Sequence, residues 1–339
     1  MLILGIETSC DETSIGIVED GEKILANVIL TQTEYHKKFY GVVPEIASRV
    51  HSKLINKIFE KALEDAKISY KDLDAIAVVN QPGLVGSLMV GVSFAKSLSL
   101  ILNKPLISVN HLYAHLYANF FLNPKPQFPY IGLIVSGGHT LLLVAFSLFK
   151  YEIIGTTLDD AVGESFDKIA KFLNLGYPGG HIIDKIASDY KKNDYVIFPK
   201  ALLNDKKNIY NFSYSGLKTA VINFVRKNPD YDIKKIVKGF QISAIDILYE
   251  KTISLAKEKK IKNICIAGGV AANSYLRKKF LESKNDFKIF IPEKILCTDN
   301  GAIVAGYGYQ KAKEKLFDDL KLEVFARPKG GPKEYLKLS

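Results

Sequence analysis

Apolar runs and turn formers follow one another along this chain in an order that occurs twice. Leu2 to Ile6 is a short apolar run, followed by the small polar loop Thr8 to Thr13, the strand-like Ile15 to Val18, the turn Glu19-Asp20-Gly21 and the run Ile24 to Leu30. Runs of this length bounded by turn formers predict two hairpins in series. The same order returns at Tyr130 to Val135, the loop Ser136 to Thr140, Leu141 to Phe146 and Tyr151 to Ile154. Each copy continues into a helix and later comes back to a strand, a glycine loop and a helix. In the first copy these are Ala75 to Val79, Gln81 to Ser87 and Leu88 to Leu102; in the second, Asn263 to Ala267, Gly268-Gly269 and Ala271 to Leu281. Strand, glycine turn and helix in succession aim backbone N–H groups at one point, which suits phosphate. A single such loop is more often a tight connection, but four in a repeat point to a nucleotide cleft.

Between the two return units, Asp159 to Leu173 reads as an amphipathic helix with Val162, Phe166, Ile169, Ala170 and Leu173 on one face. Its polar face carries Asp160, Glu164, Asp167, Lys168 and Lys171, ordinarily a solvated, ion-paired surface. Gly176, Pro178, Gly179 and Gly180 end that helix, and a second helical pattern runs from Ile182 to Tyr190. The division expected is a lobe of residues 1–125 plus about 300–326, a lobe of residues 126–299 with a helical, basic insertion at about 159–240, and an exposed tail, 327–339.

The chain of 339 residues is longer than one core usually grows, which favours two lobes. With 47% apolar and 24% charged residues, disorder and collagen-like repeats are excluded. The net charge is +10, and residues 185–284 alone hold 21 basic against 9 acidic side chains, so the excess sits there. A localised basic surface attracts polyanions such as RNA, the alternative being a solvated Lys-rich face. Cys10, Cys265 and Cys297 are too few and too far apart for a disulfide scaffold or a thiolate zinc site. The N-terminus reaches Glu7 with no basic start or long apolar run, so a cytoplasmic protein is expected. Three long uncharged stretches, beginning at Ala75, Pro105 and Pro126, are interrupted by Gln81-Pro82-Gly83, by Asn110, His111 and His115, and by Ser136 to His139, which argues against membrane spans.

His111 and His115 lie four apart, so on a helix they project from one face and can share a metal ion, or be two packed histidines. A zincin protease would need Glu after the first His, and Leu112 stands there. The best remote carboxylate is Asp299, in the turn-like Cys297-Thr298-Asp299-Asn300-Gly301, where an Asp serves equally as a helix cap. Two imidazoles, one carboxylate and open positions suit zinc or ferrous iron. Cys10 and Cys297 are further candidates as soft ligands or nucleophiles, weighed against the usual small buried hydrophobe.

The stretches GIETSCDETS, GVVPEIASR, PGLVGSLMVG, HLYAH, VSGGHT, GESFDKIAK, YPGG, FSYSGLKT, AGGVAANSYLR and CTDNGA, in this order, resemble the TsaD family of tRNA threonylcarbamoyladenosine transferases, and SGGHT is similar to the bacterial type. The resemblance implies an α/β fold of two duplicated ribonuclease-H-like lobes, of the actin, sugar-kinase and heat-shock ATPase superfamily, with an interlobe cleft. It implies one divalent transition metal per subunit, Fe²⁺ or Zn²⁺, at His111, His115 and Asp299. It implies an adenylate-type ligand held by Ile134, Val135, Ser136, Gly137, Gly138, Asp167, Gly180, Asp184 and Asn273. The reaction implied moves a threonylcarbamoyl group from threonylcarbamoyl-AMP to the N6 amine of the adenosine 3′ of the anticodon in tRNAs reading codons that begin with A, releasing AMP. A proton acceptor is not singled out; Asp11, Glu12, Glu164 and the leaving phosphate are the candidates. The basic stretch then offers Lys206, Lys207, Arg226, Lys227, Lys234 and Lys235 to the tRNA backbone. A TsaB-like paralogue and a TsaE-like ATPase are the partners implied, and a homodimer stays open. The alternatives are a small-molecule kinase of the same superfamily and a noncatalytic nucleotide-binding partner; the two-imidazole site argues against a Mg²⁺-dependent kinase.

Overall fold

The computed structural model describes residues 1–200 and 208–327. Lys206, Lys207 and the tail after Arg327 lie outside the described residues. The described residues fall into two compact units, residues 1–125 with 298–327, and residues 126–200 with 208–297.

The first unit runs β1 (Leu2–Glu7), β2 (Glu12–Glu19), β3 (Lys23–Thr31), α1 (Thr33–His36), α2 (Pro44–Ala66), β4 (Ala75–Gln81), α3 (Val85–Leu102), β5 (Leu106–Asn110) and α4 (His111–Tyr117). The second runs β6 (Tyr130–Val135), β7 (Thr140–Ser147), β8 (Lys150–Thr156), α5 (Val162–Phe172), α6 (Gly179–Asp189), α7 (Ser215–Lys227), α8 (Ile233–Lys259), β9 (Asn263–Ala267), α9 (Ser274–Leu281), β10 (Lys288–Phe290) and α10 (Lys294–Cys297), and α11 (Gly301–Lys313) returns to the first unit.

Each unit has one five-stranded sheet, ordered β3-β2-β1-β4-β5 in the first and β8-β7-β6-β9-β10 in the second. In both, the first three strands in sequence pair antiparallel and the last two join the first in parallel. The duplicated order of apolar runs is therefore a duplicated topology.

Alternation along β1 explains how the first sheet is covered. Leu4 and Ile6 join Ile15 and Ile17 in a core with Ile55 and Ile58 of α2 and Val92 of α3. Ile3, Gly5 and Glu7 point to the other face. Helix α11 lies so close there that a Cβ on Gly5 would sit 2.1 Å from the Gly301 carbonyl oxygen. Only glycine permits that approach. Burial on both faces matches the continuous apolar runs read from the sequence. Helix α3 is long and apolar enough to cross a membrane by length and composition; it packs on β4 and α2, with Met89, Leu100 and Ile101 exposed.

Several helix starts differ from the sequence expectation, and at α5 and α6 a carboxylate that pairs with a distant element is the reason. Helix α5 starts at Val162 rather than Asp159, because the Asp159 carboxylate accepts from Ser213 Oγ, Tyr214 N and Ser215 Oγ and so caps α7. Helix α6 begins at Gly179, where the turn formers predicted a break, because Asp167 Oδ1 accepts the Gly179 N–H at 2.7 Å. Helix α3 starts at Val85, inside the loop expected from Gln81 to Ser87. The helix expected from Ala271 starts at Ser274, after a 3₁₀ turn, with Asn273 extended as its cap. Gly268 takes φ +94°, and a Cβ there would meet the Val135 carbonyl oxygen at 2.4 Å.

Candidate functional site

In the first unit, Glu7 ends β1 on the face that α11 covers and is fully buried. Helix α4 follows β5 without a loop, its first turn capped by Asn110 Oδ1, which accepts from Leu112 N at 2.9 Å. Four-residue spacing then brings the His111 and His115 rings together edge to face, with centroids 4.6 Å apart and planes at 82°. Asp299 stands just before α11. The cap of α11 is Asn300, whose Oδ1 accepts from Ile303 N at 3.2 Å, so the Asp299 carboxylate is not spent on capping.

Asp299 Oδ1 lies 3.0 Å from His115 Nε2 and 3.6 Å from His111 Nε2. One ligand atom from each of the three residues falls within 4.8 Å of the others. Behind His111, Glu7 Oε2 is 2.9 Å from Nδ1 and Ser9 Oγ 3.2 Å, while Glu7 Oε1 accepts from Ser9 N at 2.6 Å. A carboxylate only accepts, so His111 Nδ1 carries a proton and Nε2 is left to face Asp299. Burial lowers the affinity of His111 for its second proton, but Asp299 and Glu7 outweigh it and push the pKa up to about 9. His115 Nδ1 is sealed in the interior without a partner. Two imidazole nitrogens and one carboxylate, with the outer nitrogen of one ring held by a buried acid, fit a divalent transition metal.

Asp11 and Glu12 belong to the same unit. Burial pushes the Asp11 carboxyl up, and the negative charge of Asp299 adds to it. Glu12 is pushed well up by burial, then by Asp11 and Asp299. The loop carrying them is braced by His51, whose Nε2 donates to the Cys10 carbonyl at 3.0 Å while Thr13 Oγ1 lies 2.7 Å from Nδ1. Burial raises the Cys10 thiol well above its ordinary pKa and lifts Cys297 to about 11, despite Arg277. A raised thiol pKa makes either a poorer nucleophile, and neither belongs to the group of converging ligand atoms formed by His111, His115 and Asp299 among the described residues.

The remaining candidates lie in the second unit. The side chains of Ile134 and Val135 are fully buried in β6, so only the loop after them reaches solvent. That loop is closed by Ser136 N donating to the His139 carbonyl at 2.9 Å and His139 N to Ser136 Oγ at 3.1 Å. Gly137 and Gly138 are exposed, and a Cβ on either would meet nothing. The Ser136 carbonyl accepts from Gly163 N in the first turn of α5. Asp167 then holds Gly179, the neighbour of Gly180, and Asp184 on α6 accepts from Ser274 N at 2.9 Å and Ser274 Oγ at 2.6 Å. Asn273 adjoins Ser274, caps α9 through Leu276 N and donates to Gln241 at 2.9 Å. Hydrogen bonds of Ser136, Asp167 and Asp184 thus tie the loop after β6, α5, α6 and α9 together, with Gly180 next to Gly179 and Asn273 next to Ser274. Glu164 stands apart from it, ion-paired with Lys168 at 2.9 Å.

Of the basic residues, Arg226, Lys227 and Lys234 are exposed where α7 ends and α8 begins, whereas Lys235 is paired with Asp194 at 2.8 Å. Sequence reasoning gave no role to Ser9, His51 or Gln241 and little to Glu7. Gln241 had a signal, a polar residue between Phe240 and Ala244 on the apolar side of α8; the others became visible only through contacts with distant residues.

A family model described as TsaD, tRNA N6-adenosine threonylcarbamoyltransferase, matches residues 23–306. A protein of that description from Brachyspira hyodysenteriae is 48% identical over 331 residues, 96% of each chain. One from Thermosipho melanesiensis is 51% identical over 320 residues, 94% of this chain and 95% of that one. Among solved structures, the activator of 2-hydroxyisocaproyl-CoA dehydratase from Clostridium difficile is similar with a TM-score of 0.57 at 16% identity, covering 93% of this chain and 97% of that one, a likeness of fold alone.

Proposed function

Because the chain belongs to the TsaD family of tRNA N6-adenosine threonylcarbamoyltransferases, we propose that it uses threonylcarbamoyl-AMP as donor and a metal to activate the acyl group. It is a transferase that modifies tRNA, and the kinase and regulatory alternatives are not favoured. The observation that carries the finer reading is the convergence of His111 Nε2, His115 Nε2 and the Asp299 carboxylate, with Glu7 fixing the outer nitrogen of His111.

His111, His115 and Asp299 would hold one divalent transition metal, zinc or ferrous iron, whose chemistry there is that of a Lewis acid and an orienting charge. The donor is already an activated mixed anhydride, so no covalent intermediate with the protein is needed. The N6 amine forms a bond to the carbamoyl carbon, the bond from that carbon to the phosphate oxygen breaks, AMP leaves, and N6 gives up a proton. Gly137 and Gly138 offer main-chain N–H groups to the phosphate, as does Gly268-Gly269. Asp167, Gly180, Asp184 and Asn273 hold the nucleoside. Asp11 or Glu12 takes the proton, since burial and neighbouring charge have raised both towards the range a general base needs; Glu164 is tied to Lys168. Arg226, Lys227, Lys234 and Lys235 contact tRNA phosphates. A TsaB-like paralogue and a TsaE-like ATPase are the partners, on the strength of the family resemblance, and the cytoplasm is where the tRNA is met.

The test supplies metal-loaded protein with tRNA, labelled threonine, bicarbonate, ATP and a synthase that makes the adenylate, with and without the two partners. Label appears in tRNA with the wild type and is lost with His111→Ala or Asp299→Ala, while AMP affinity is kept. Full transfer by both variants would refute the metal reading, and the mass of the active species by light scattering would show whether a homodimer is the working form.

A further inference from the structure

Helix α8 turns an apolar side into the core of the second unit, where Val237, Phe240, Ala244, Ile245 and Leu248 are buried. Gln241 shares that side and is 3% exposed. An apolar residue would be the cheaper occupant of such a position, because a buried amide is tolerated only where its polar ends are satisfied. Its single hydrogen bond among the described residues is to Asn273, whose Nδ2 donates to Gln241 Oε1 at 2.9 Å.

The direction of that bond is fixed by the protein itself. Leu276 N, which can only donate, takes Asn273 Oδ1 at 3.0 Å, so the other end of Asn273 is the NH₂ group. The group facing it must therefore be the Gln241 carbonyl, which leaves the Gln241 NH₂ group without a partner among the described residues. The buried atoms sealed off without a partner include Ser165 Oγ and His115 Nδ1 but not Gln241 Nε2, so this nitrogen keeps contact with solvent. Each amide carbonyl thus already accepts one hydrogen bond, while one N–H of Asn273 and both of Gln241 are given no partner by the described residues. Such a pair suits a ligand atom that accepts.

We propose that Gln241 is a specificity-determining residue of the adenylate site, its amide nitrogen donating to an acceptor on the nucleoside, a ring nitrogen or a ribose oxygen, while its carbonyl holds Asn273 in place. This rests on the assignment of Asp167, Gly180, Asp184 and Asn273 to that site. The bound nucleoside satisfies a donor that folding left unpaired, and nucleosides lacking an acceptor at that point are penalised.

The test measures AMP affinity of the full chain by calorimetry, with melting temperature as a check on folding. Gln241→Glu keeps an acceptor for Asn273 and removes the donor; Gln241→Met removes both and keeps the shape. Each is expected to lose AMP affinity by tenfold or more, with the KM for threonylcarbamoyl-AMP rising and kcat and the KM for tRNA unmoved. A role confined to holding Asn273 predicts that Gln241→Glu binds AMP like the wild type, and that result overturns the proposal. Should that variant not fold, Gln241→Met in an Asn273→Ala background decides: a further tenfold loss beyond Asn273→Ala supports direct contact, and no further loss overturns it. If Asp167→Ala and Asn273→Ala leave AMP affinity unchanged, the site assignment itself fails; if they lose it and both Gln241 variants do not, only Gln241 is misassigned.

Discussion

Replacing Glu7 by Gln alters a group that is not itself a proposed metal ligand but holds one, His111, and it should weaken the metal centre. Two donors converge on the buried Glu7 carboxylate, Ser9 N at 2.6 Å and His111 Nδ1 at 2.9 Å. Glutamine has the same shape but one acceptor end. If its oxygen stays with Ser9, its NH₂ group faces His111 Nδ1, which must then accept, and the ring proton moves to Nε2 where the metal lone pair is needed. If its oxygen turns to His111, the Ser9 N–H is left buried and unpaired, at a cost of about 1–3 kcal/mol. Loss of an outer partner of this kind typically lowers metal affinity about 10–100-fold. Titrating the metal-free protein with Co²⁺ against a chelator, following the ligand-field absorption, measures this. Glu7→Gln should bind about 10–100-fold more weakly and Glu7→Asp should recover part of the loss. Co²⁺ affinity within twofold of wild type, in a variant that melts normally, would show that Glu7 does not set the His111 tautomer.

Three further outcomes follow from the same contacts. Because the folded His111 pKa is about 9 against an ordinary 6.5, its contribution to metal-free stability is complete below pH 6.5 and is lost as pH rises through 9; the shift corresponds to about 3 kcal/mol. Metal affinity should run the other way, rising about tenfold per pH unit up to about pH 9, since binding must expel that proton; urea melts of wild type and His111→Gln, paired with Co²⁺ titrations, check both slopes, and flat profiles would contradict the charge assignment. Gly5→Ala would put a Cβ 2.1 Å from the Gly301 carbonyl oxygen, where main chain cannot yield, so denaturant melts should show a loss of about 3 kcal/mol or more. Changing Arg226, Lys227 and Lys234 together to Glu should weaken tRNA binding and flatten the slope of log K against log salt by about 2, and an unchanged slope would remove RNA from this surface.

The strands were legible because their apolar runs are bounded by turn formers, and their doubled order carried the sheet topology with it. The spacing of His111 and His115 placed both on one helical face for the same local reason. Boundaries were less legible where a cap came from another element: Asp167 starts α6 and Asp159 caps α7, and no window of sequence holds both partners. Asp299 could be read as a cap or a ligand until Asn300 proved to be the cap of α11.

Local pattern alone therefore determined the strands and helices and their repetition, because alternation and the 3.6-residue period are properties of a short segment. Tertiary structure alone decided that Glu7 stands behind His111, 104 positions away, and that Asp299 reaches His115 across 184. It likewise decided that the Gln241 carbonyl accepts from Asn273 while its nitrogen has no partner among the described residues. Hydrogen-bond direction and proton affinity depend on which groups burial brings within about 3 Å, and residues so far apart in the chain meet only when the sheets and the helices covering them have packed.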